Sequence, residues 1–219
     1  LHNMGELYFN GSALAAGKKV KFNGSDMANV YLNGTKIWTY YIPSEQGFTS
    51  SGTYQINAAE TSIQYKASGG GGGGGKNLCK NCTPIHGGAG GATTLSFQKA
   101  DGTVVHTITA SGGSGGSMGG GSPTGSHGDF SVPSGWSTSI WTSTVSDGGV
   151  GGFGEENCPG GDRGTAGGTA SGTYTIPTSG NIPTKIVITI GGGGYGGLCG
   201  EGNFSGAGVA GAASILGVL

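Results

Sequence analysis

Residues 69–75 read Gly69-Gly-Gly-Gly-Gly-Gly-Gly75, and this stretch decides the fold because similar runs recur along the chain. The runs occupy residues 69–75, 87–91, 112–121, 148–154, 160–168, 191–197 and, diluted by alanine, 206–213. Glycine accounts for 53 of the 219 residues, far above its average usage of roughly 7%. Packing of side chains in an ordinary core therefore cannot hold most of this molecule together.

The runs are either flexible linkers or ordered backbone. The segments between them are strand-like and aromatic, and at 34% hydrophobic residues the chain is not depleted as disordered tails are. Ordering glycine costs much backbone entropy, so an ordered run needs many backbone hydrogen bonds. A polyglycine II helix has three residues per turn and no internal hydrogen bonds, so its amides can bond laterally to neighbouring helices. Small side chains at every third position in 87–92 and 112–117 favour this helix, and the absence of a sustained Gly-X-Y repeat argues against collagen.

Strand motifs repeat together with the runs. Gly52-Thr-Tyr-Gln-Ile56 and the alternating Ser62-Ile-Gln-Tyr-Lys66 lead into the run at 69. Gly172-Thr-Tyr-Thr-Ile176 and Lys185-Ile-Val-Ile-Thr-Ile190 lead in the same order into the run at 191. A weaker third copy begins at Gly128 and leads into the run at 148.

A hairpin is predicted between the first two copies, because Thr94-Leu-Ser-Phe-Gln98 and Val104-Val-His-Thr-Ile-Thr109 flank an Asp-Gly turn. The predicted fold is therefore mostly β plus irregular structure, with essentially no α-helix. Short antiparallel strands form a base, and the glycine runs extend from it as a polyglycine II helix sandwich.

If each strand leads outward into one run and the chain returns to the next strand, the runs are out-and-back legs. The outermost turns are then expected at 76–86, 117–127, 155–163 and 198–205. Three of these turns hold every cysteine of the chain, which supports a common distal tip: Cys79, Cys82, Cys158 and Cys199.

The cysteines allow three interpretations. Disulfides are favoured, with three possible connectivities, and they would indicate an oxidising or extracellular setting. A zinc site with His86 as a spare ligand is the second, but the second paired Cys or His spacing typical of zinc is missing. Free thiols are the third.

Residues 52–213 resemble the glycine-rich domains of phage tail-fibre receptor-binding proteins, and in architecture the fibre-tip adhesins of T-even phages. The segments that carry the resemblance are Gly172-Thr-Tyr-Thr-Ile-Pro177, the strand that starts at Lys185, and Gly191-Gly-Gly-Gly-Tyr-Gly-Gly197. The resemblance implies a polyglycine II sandwich whose distal loops bind a host surface receptor, an outer-membrane protein or a glycan. The N-terminal segment and the four cysteines depart from the T-even pattern.

The residues predicted to contact the receptor lie at the turns or beside them. They are Lys76, Asn77, Lys80, Asn81, Glu155, Glu156, Asn157, Arg163, Tyr195 and Phe204. The aromatic members either fill gaps between helices or protrude as binding anchors, since exposed rings supply contact area at low entropy cost.

Residues 1–50 are predicted to form a separate β module, and residues 51–219 the glycine-rich domain. Short alternating strands in the first segment are joined by Asn-Gly turns at 10–11, 23–24 and 33–34. The stretch Val30-Tyr-Leu-Asn-Gly-Thr-Lys-Ile-Trp38 resembles small modules of phage tail proteins, which implies attachment to other tail or tail-fibre proteins.

Charge and motifs exclude several functions. The net charge is −1, so no basic patch for nucleic acid is expected, and no run of about twenty apolar residues predicts membrane insertion. No Gly-Lys-Ser/Thr follows a glycine cluster, the Glu155-Glu156 pair is interpreted as solvated, and His106 is expected on the polar face of its strand.

The sequence thus predicts a protein that is not an enzyme and needs no cofactor. It predicts a receptor-binding adhesin at the tip of a phage tail fibre, on the virion and extracellular. A structural or assembly protein of the fibre is one alternative, and an ice-binding protein is the second.

Overall fold

The computed structural model describes residues 44–75, 86–116, 164–196 and 207–219, and the backbone of six short strands between residues 8 and 39. Within these ranges the protein is all β, with two four-stranded antiparallel sheets and no α-helix. The predicted third strand copy and the run at 148–154 lie outside the described residues.

Three hairpins precede the two sheets. Their strands are β1 (Tyr8–Phe9), β2 (Ser12–Ala13), β3 (Val20–Phe22), β4 (Ser25–Met27), β5 (Asn29–Leu32) and β6 (Thr35–Thr39). The antiparallel pairs are β1 with β2, β3 with β4, and β5 with β6. In each hairpin two residues separate the innermost paired residues, as in Phe9 opposite Ser12. Those two residues are Asn-Gly in all three cases, so the predicted hairpins are confirmed.

Eight further strands form the two larger sheets. They are β7 (Glu45–Phe48), β8 (Gly52–Gln55), β9 (Ser62–Ser68), β10 (Thr93–Gln98), β11 (Val104–Ala110), β12 (Thr169–Thr175), β13 (Lys185–Thr189) and β14 (Ala212–Val218). The first sheet has the order β11-β10-β13-β8, and the second has the order β12-β9-β14-β7.

The two sheets enclose one core. Alternation along β10 buries Leu95 and Phe97 while their neighbours are half-buried, as expected for a strand with one face on a core. Ile186 and Ile188 of the first sheet share this core with Ile63 and other residues of the second. Each such aliphatic side chain contributes about 1.5–3 kcal/mol when fully buried.

The two Gly-Thr-Tyr repeats are related by an approximate twofold symmetry, because the first strand of each pairs with the second strand of the other. The partners are Gly52 with Ile188, Tyr54 with Ile186, Gly172 with Tyr65, and Tyr174 with Ile63. The loops that follow obey the same rule: the N–H of Ile56 donates to the carbonyl of Thr184, and the N–H of Ile176 donates to that of Thr61. The sequence repeat is therefore also a structural repeat.

Six described glycine runs continue the strands of both sheets. We call them run 1 (69–75), run 2 (87–91), run 3 (111–116), run 4 (164–168), run 5 (191–196) and run 6 (207–211). Runs 1, 3 and 5 follow strands β9, β11 and β13, and runs 2, 4 and 6 lead into β10, β12 and β14. At this junction the buried hydroxyls of Thr93 and Ser68 accept hydrogen bonds from the N–H groups of Gly191 and Ala212.

Run 1 lies among the other five runs and is buried along its whole length. Its consecutive N–H groups point to different neighbours: Gly69 donates to run 4, Gly70 to run 2 and Gly71 to run 6. Three residues later the first two directions recur, with Gly72 donating to run 4 and Gly73 to run 2. Its carbonyls accept from runs 3 and 5.

The register of these bonds gives the direction of each run. Run 1 pairs antiparallel with run 2, because Gly70 donates to Gly91 and Gly73 to Gly88. It pairs parallel with run 3, because residues 113 and 116 donate to 70 and 73. Runs 4 and 3, runs 2 and 5, and runs 6 and 5 are antiparallel as well. The described runs thus alternate in direction, as the out-and-back tracing predicts.

Close approach of the backbones explains the glycine content. A Cβ added to Gly72 would overlap the carbonyl of Ser114, and one added to Gly70 would overlap that of Gly192. Equivalent overlaps occur in all six runs. Glycine is required here because neighbouring backbones lie where side chains would be.

The last strand differs from the prediction. Residues 206–213 were expected to form a glycine run throughout, but the run ends at Gly211 and β14 begins at Ala212. Residues 212–215 are buried on both faces of the sheet. The segment begins Ala-Ala-Ser and therefore lacks the alternation of apolar and polar residues that marks a strand with one exposed face. The edge strand β7 was not predicted either, because its sequence Glu-Gln-Gly-Phe carries little strand signal.

Candidate functional site

The end of the runs remote from the sheets is the candidate site. Because odd runs lead away from the sheets and even runs lead back, the segments 76–85, 117–163 and 197–206 are all bracketed by residues at this end. Every predicted distal turn falls at least partly within those segments. Loops presented on a rigid scaffold are where binding residues concentrate.

One predicted contact residue, Tyr195, lies within the described ranges. The other predicted contact residues and all four cysteines lie outside them: Lys76, Asn77, Lys80, Asn81, Glu155, Glu156, Asn157, Arg163, Phe204, Cys79, Cys82, Cys158 and Cys199. His86, the spare ligand of the zinc interpretation, is described and exposed.

Tyr195 is 70% exposed, yet one face of its ring packs against the neighbouring run. Its carbonyl accepts the N–H of Gly88 at 2.8 Å, which joins runs 5 and 2. A Cβ added to Gly88 would meet Cδ1 and Cε1 of the ring at 2.5 Å and Cγ at 3.0 Å. These three distances place the added atom above the ring face rather than beyond its edge. One face of the ring therefore rests on the Gly88 backbone and the other is open to solvent.

The described residues of the two runs beside Tyr195 carry no charge. Runs 2 and 5 contain only glycine, Ala89 and Tyr195, and Ala89, Gly192 and Gly193 are exposed. Nothing lies within 4 Å of the place where a Cβ on Gly192 would be. Among the described residues, none accepts a hydrogen bond from the N–H groups of Ala89 or Gly192. The described surface thus combines one aromatic ring with backbone donors that no described residue accepts.

A cleft of about 590 Å³ lies at the opposite end of the sandwich, and sequence reasoning missed it. The two loops related by the approximate twofold symmetry form it, residues 56–61 on one side and 176–184 on the other. Glu60 is buried there, with Oε1 accepting the hydroxyl of Tyr54 at 2.5 Å and Oε2 accepting the N–H of Asn57 at 3.0 Å. The sequence feature that could have indicated this cleft is the loop that follows each Gly-Thr-Tyr repeat.

The edge between the sheets is closed by three aromatic rings. Tyr174 lies 4.2 Å from Phe97 and 5.1 Å from His106 between ring centroids, and it stacks on the histidine. His106 is exposed, but the regular antiparallel register of β10 and β11 puts it opposite Phe97, whose side chain enters the core; the pairing becomes irregular only beyond this pair. The expectation that it lies on the polar face of its strand was therefore wrong. Burial raises the pKa of Tyr174.

The described residues contain no group of three or more histidine, cysteine, aspartate or glutamate side chains placed to hold a metal ion. They also contain no helix with the length and apolar character needed to cross a bilayer. Comparison with known protein families, curated proteins and solved structures finds no match to this chain.

Proposed function

We propose that the six described runs are polyglycine II helices packed as a sandwich. The supporting observation is the threefold recurrence of donors along run 1, in which Gly69 and Gly72 donate to one neighbour and Gly70 and Gly73 to another. A helix with three residues per turn presents its N–H groups in three directions and returns to the same neighbour every third residue.

We further propose that the protein is the receptor-binding adhesin at the tip of a phage tail fibre, without catalytic activity or a cofactor. The observation that carries this proposal is the alternation of run direction, since it brings three connections to one end of a rigid uncharged scaffold. Those connections contain the cysteines and every predicted contact residue except Tyr195, and they differ in length and composition. Variable loops on a fixed base can change specificity without changing the fold.

The opposite end is proposed to face the fibre. Strand β7 enters the second sheet at Glu45, which lies opposite Leu216 near the end of β14 remote from the runs. The segment that precedes residue 44 therefore joins the sandwich on the side away from the distal loops. In this proposal residues 1–50 attach the protein to other tail or tail-fibre proteins, and the glycine-rich domain contacts an outer-membrane protein or a glycan of the host.

Adsorption to bacterial cells tests the adhesin. In one variant, residues 76–85 and 155–163 are replaced by serine and glycine. In the matched control, the hairpin loop 99–103 at the other end is replaced in the same way. Circular dichroism and thermal unfolding show whether each variant keeps the fold.

We expect the native protein and the control to adsorb to a susceptible strain and to block infection, and the tip variant to do neither. Equal adsorption of folded tip and control variants would contradict a distal recognition surface and favour a structural role in the fibre. Failure of the native protein to bind any strain of a broad panel would overturn the adhesin itself.

A further inference from the structure

Tyr195 stands apart from the other exposed apolar side chains of the described residues. Those are Val104 at the start of β11, Leu219 directly after β14 and Val209 in run 6, and none of them is aromatic. Tyr195 offers one open ring face on an otherwise small-residue surface. A protein partner needs an aromatic anchor surrounded by a much larger interface that excludes water. The single open ring face of the described surface instead matches the size of a single ring of a ligand.

The backing of the ring fixes its orientation. Because one face rests on Gly88, a ligand can stack only on the other face. The neighbouring run keeps Gly88 in place through two hydrogen bonds, from Gly88 to Tyr195 and from Gly91 to Gly192, both 2.8 Å long. The ring therefore sits on rigid backbone, which lowers the entropy lost on binding.

The groups around the ring suit a neutral, hydroxylated ligand. Ala89 and Gly192 are exposed, and no described residue accepts a hydrogen bond from their N–H groups, which a ligand hydroxyl oxygen could accept; no charged residue occurs in any of the six runs. A sugar ring has one face of C–H bonds that stacks on an aromatic face, and hydroxyl groups at its rim that accept hydrogen bonds from backbone donors.

We propose that Tyr195, Ala89 and Gly192 form a platform for a neutral sugar unit of a host surface glycan. This inference rests on the proposed adhesin function and names the ligand class for one part of its surface. It assigns the glycan to the side of runs 2 and 5.

The test measures binding of the full-length protein to an array of bacterial surface polysaccharides. Tyr195→Phe keeps the ring and should bind within about threefold of the native protein. Tyr195→Ser removes the stacking face and should weaken binding about tenfold or more. Gly88→Ala keeps Tyr195 but places a methyl group against its ring, so it should also weaken binding. Val209→Ser removes an exposed apolar side chain on run 6 and should leave binding unchanged.

Adsorption to cells separates this inference from the adhesin proposal. Periodate oxidation of cell-surface sugars should abolish adsorption, and mild protease treatment should leave it intact. If the native protein adsorbs to cells but Tyr195→Ser binds equally well, or if only protease treatment abolishes adsorption, the glycan platform is overturned while the adhesin stands. If the native protein adsorbs to no cells and binds no polysaccharide, both proposals are overturned.

Discussion

Glycine in the runs has two roles that single substitutions can separate. Neither Gly72 nor Gly192 has a positive φ, so an alanine at either position is compatible with the backbone itself. The two positions differ in their surroundings. Gly72 is buried in run 1 against the backbone of run 3, while Gly192 is exposed with open space where its Cβ would be.

We predict that Gly72→Ala lowers the free energy of unfolding by about 2–3 kcal/mol, because the methyl group must separate two backbones or be strained against them. Gly192→Ala should raise it by up to about 1 kcal/mol, since alanine restricts the unfolded chain. Urea unfolding of both variants measures the difference. Equal effects at the two positions would contradict the close packing of the runs.

The turn between β10 and β11 contains Asp101, whose carboxyl group should make the stability of the fold depend on pH. The N–H of Thr103 donates to Oδ1 of Asp101 at 2.9 Å, and the backbone and side-chain hydrogen bonds of Thr103 are the main reasons that the pKa of Asp101 lies below 3.8. A lowered pKa stabilises the fold above the unfolded value, and this contribution is lost as the pH falls through the folded value.

Asp101→Ala should therefore lower Tm at pH 7, and the difference from the native protein should shrink below pH 3.8. Asp101→Asn, which keeps an acceptor that does not titrate, is the control. Thermal unfolding of the three proteins from neutral to acidic pH provides the measurement. A difference in Tm that stays constant with pH would show that the carboxylate charge does not matter.

At the scale of elements, the sequence repeat corresponds to a repeated strand pairing. The Gly-Thr-Tyr motif recurs, and in the structure each copy pairs with the second strand of the other copy at the same register. The two tyrosines nevertheless differ in their surroundings. Tyr54 is buried and donates to buried Glu60, while the ring of Tyr174 packs beside Phe97 and His106 at the sandwich edge.

We predict that Tyr54→Phe lowers the free energy of unfolding by about 1–3 kcal/mol, because a buried carboxylate loses a donor. Tyr174→Phe is the symmetry-related control and should change it by less than about 0.5 kcal/mol, since its hydroxyl donates to no described residue. Denaturant unfolding of both variants tests this asymmetry. A loss at Tyr174 as large as that at Tyr54 would contradict it.

Strands with one buried face were predictable from sequence, and strands outside that pattern were not. Alternation in β10 and β13 and the Asp-Gly turn identified their segments correctly. Strand β14 was missed because Ala212, Ala213 and Ser214 continue the composition of the run before them. Tyr195 was predicted from its position beside a turn, but its backing by Gly88 depends on the pairing of runs 2 and 5, which no local pattern reveals.

At the scale of the whole molecule, the sandwich has two structurally different ends. The runs lead away from one end, and the symmetry-related loops and the cleft lie at the other. Strand β7 belongs to the range assigned to the attachment module, yet it pairs with β14 over four residue pairs. Its Phe48 ring also covers Gly52, at 3.3 Å from where a Cβ would be. Truncation can therefore test where the proposed attachment module ends and the proposed recognition domain begins.

We predict that residues 44–219 fold alone, with the Tm of the full chain, because they retain every strand of both sheets. Residues 51–219 should unfold at a lower temperature, since the truncation removes β7 and exposes β14 as an edge strand. Both fragments are compared with the full chain by thermal unfolding and by adsorption to cells. Residues 44–219 should adsorb as the full chain does and fail to incorporate into virions, because the proposed attachment module is missing. Incorporation of this fragment would contradict the role of residues 1–50, whereas loss of its adsorption with the fold intact would place recognition in the N-terminal segment.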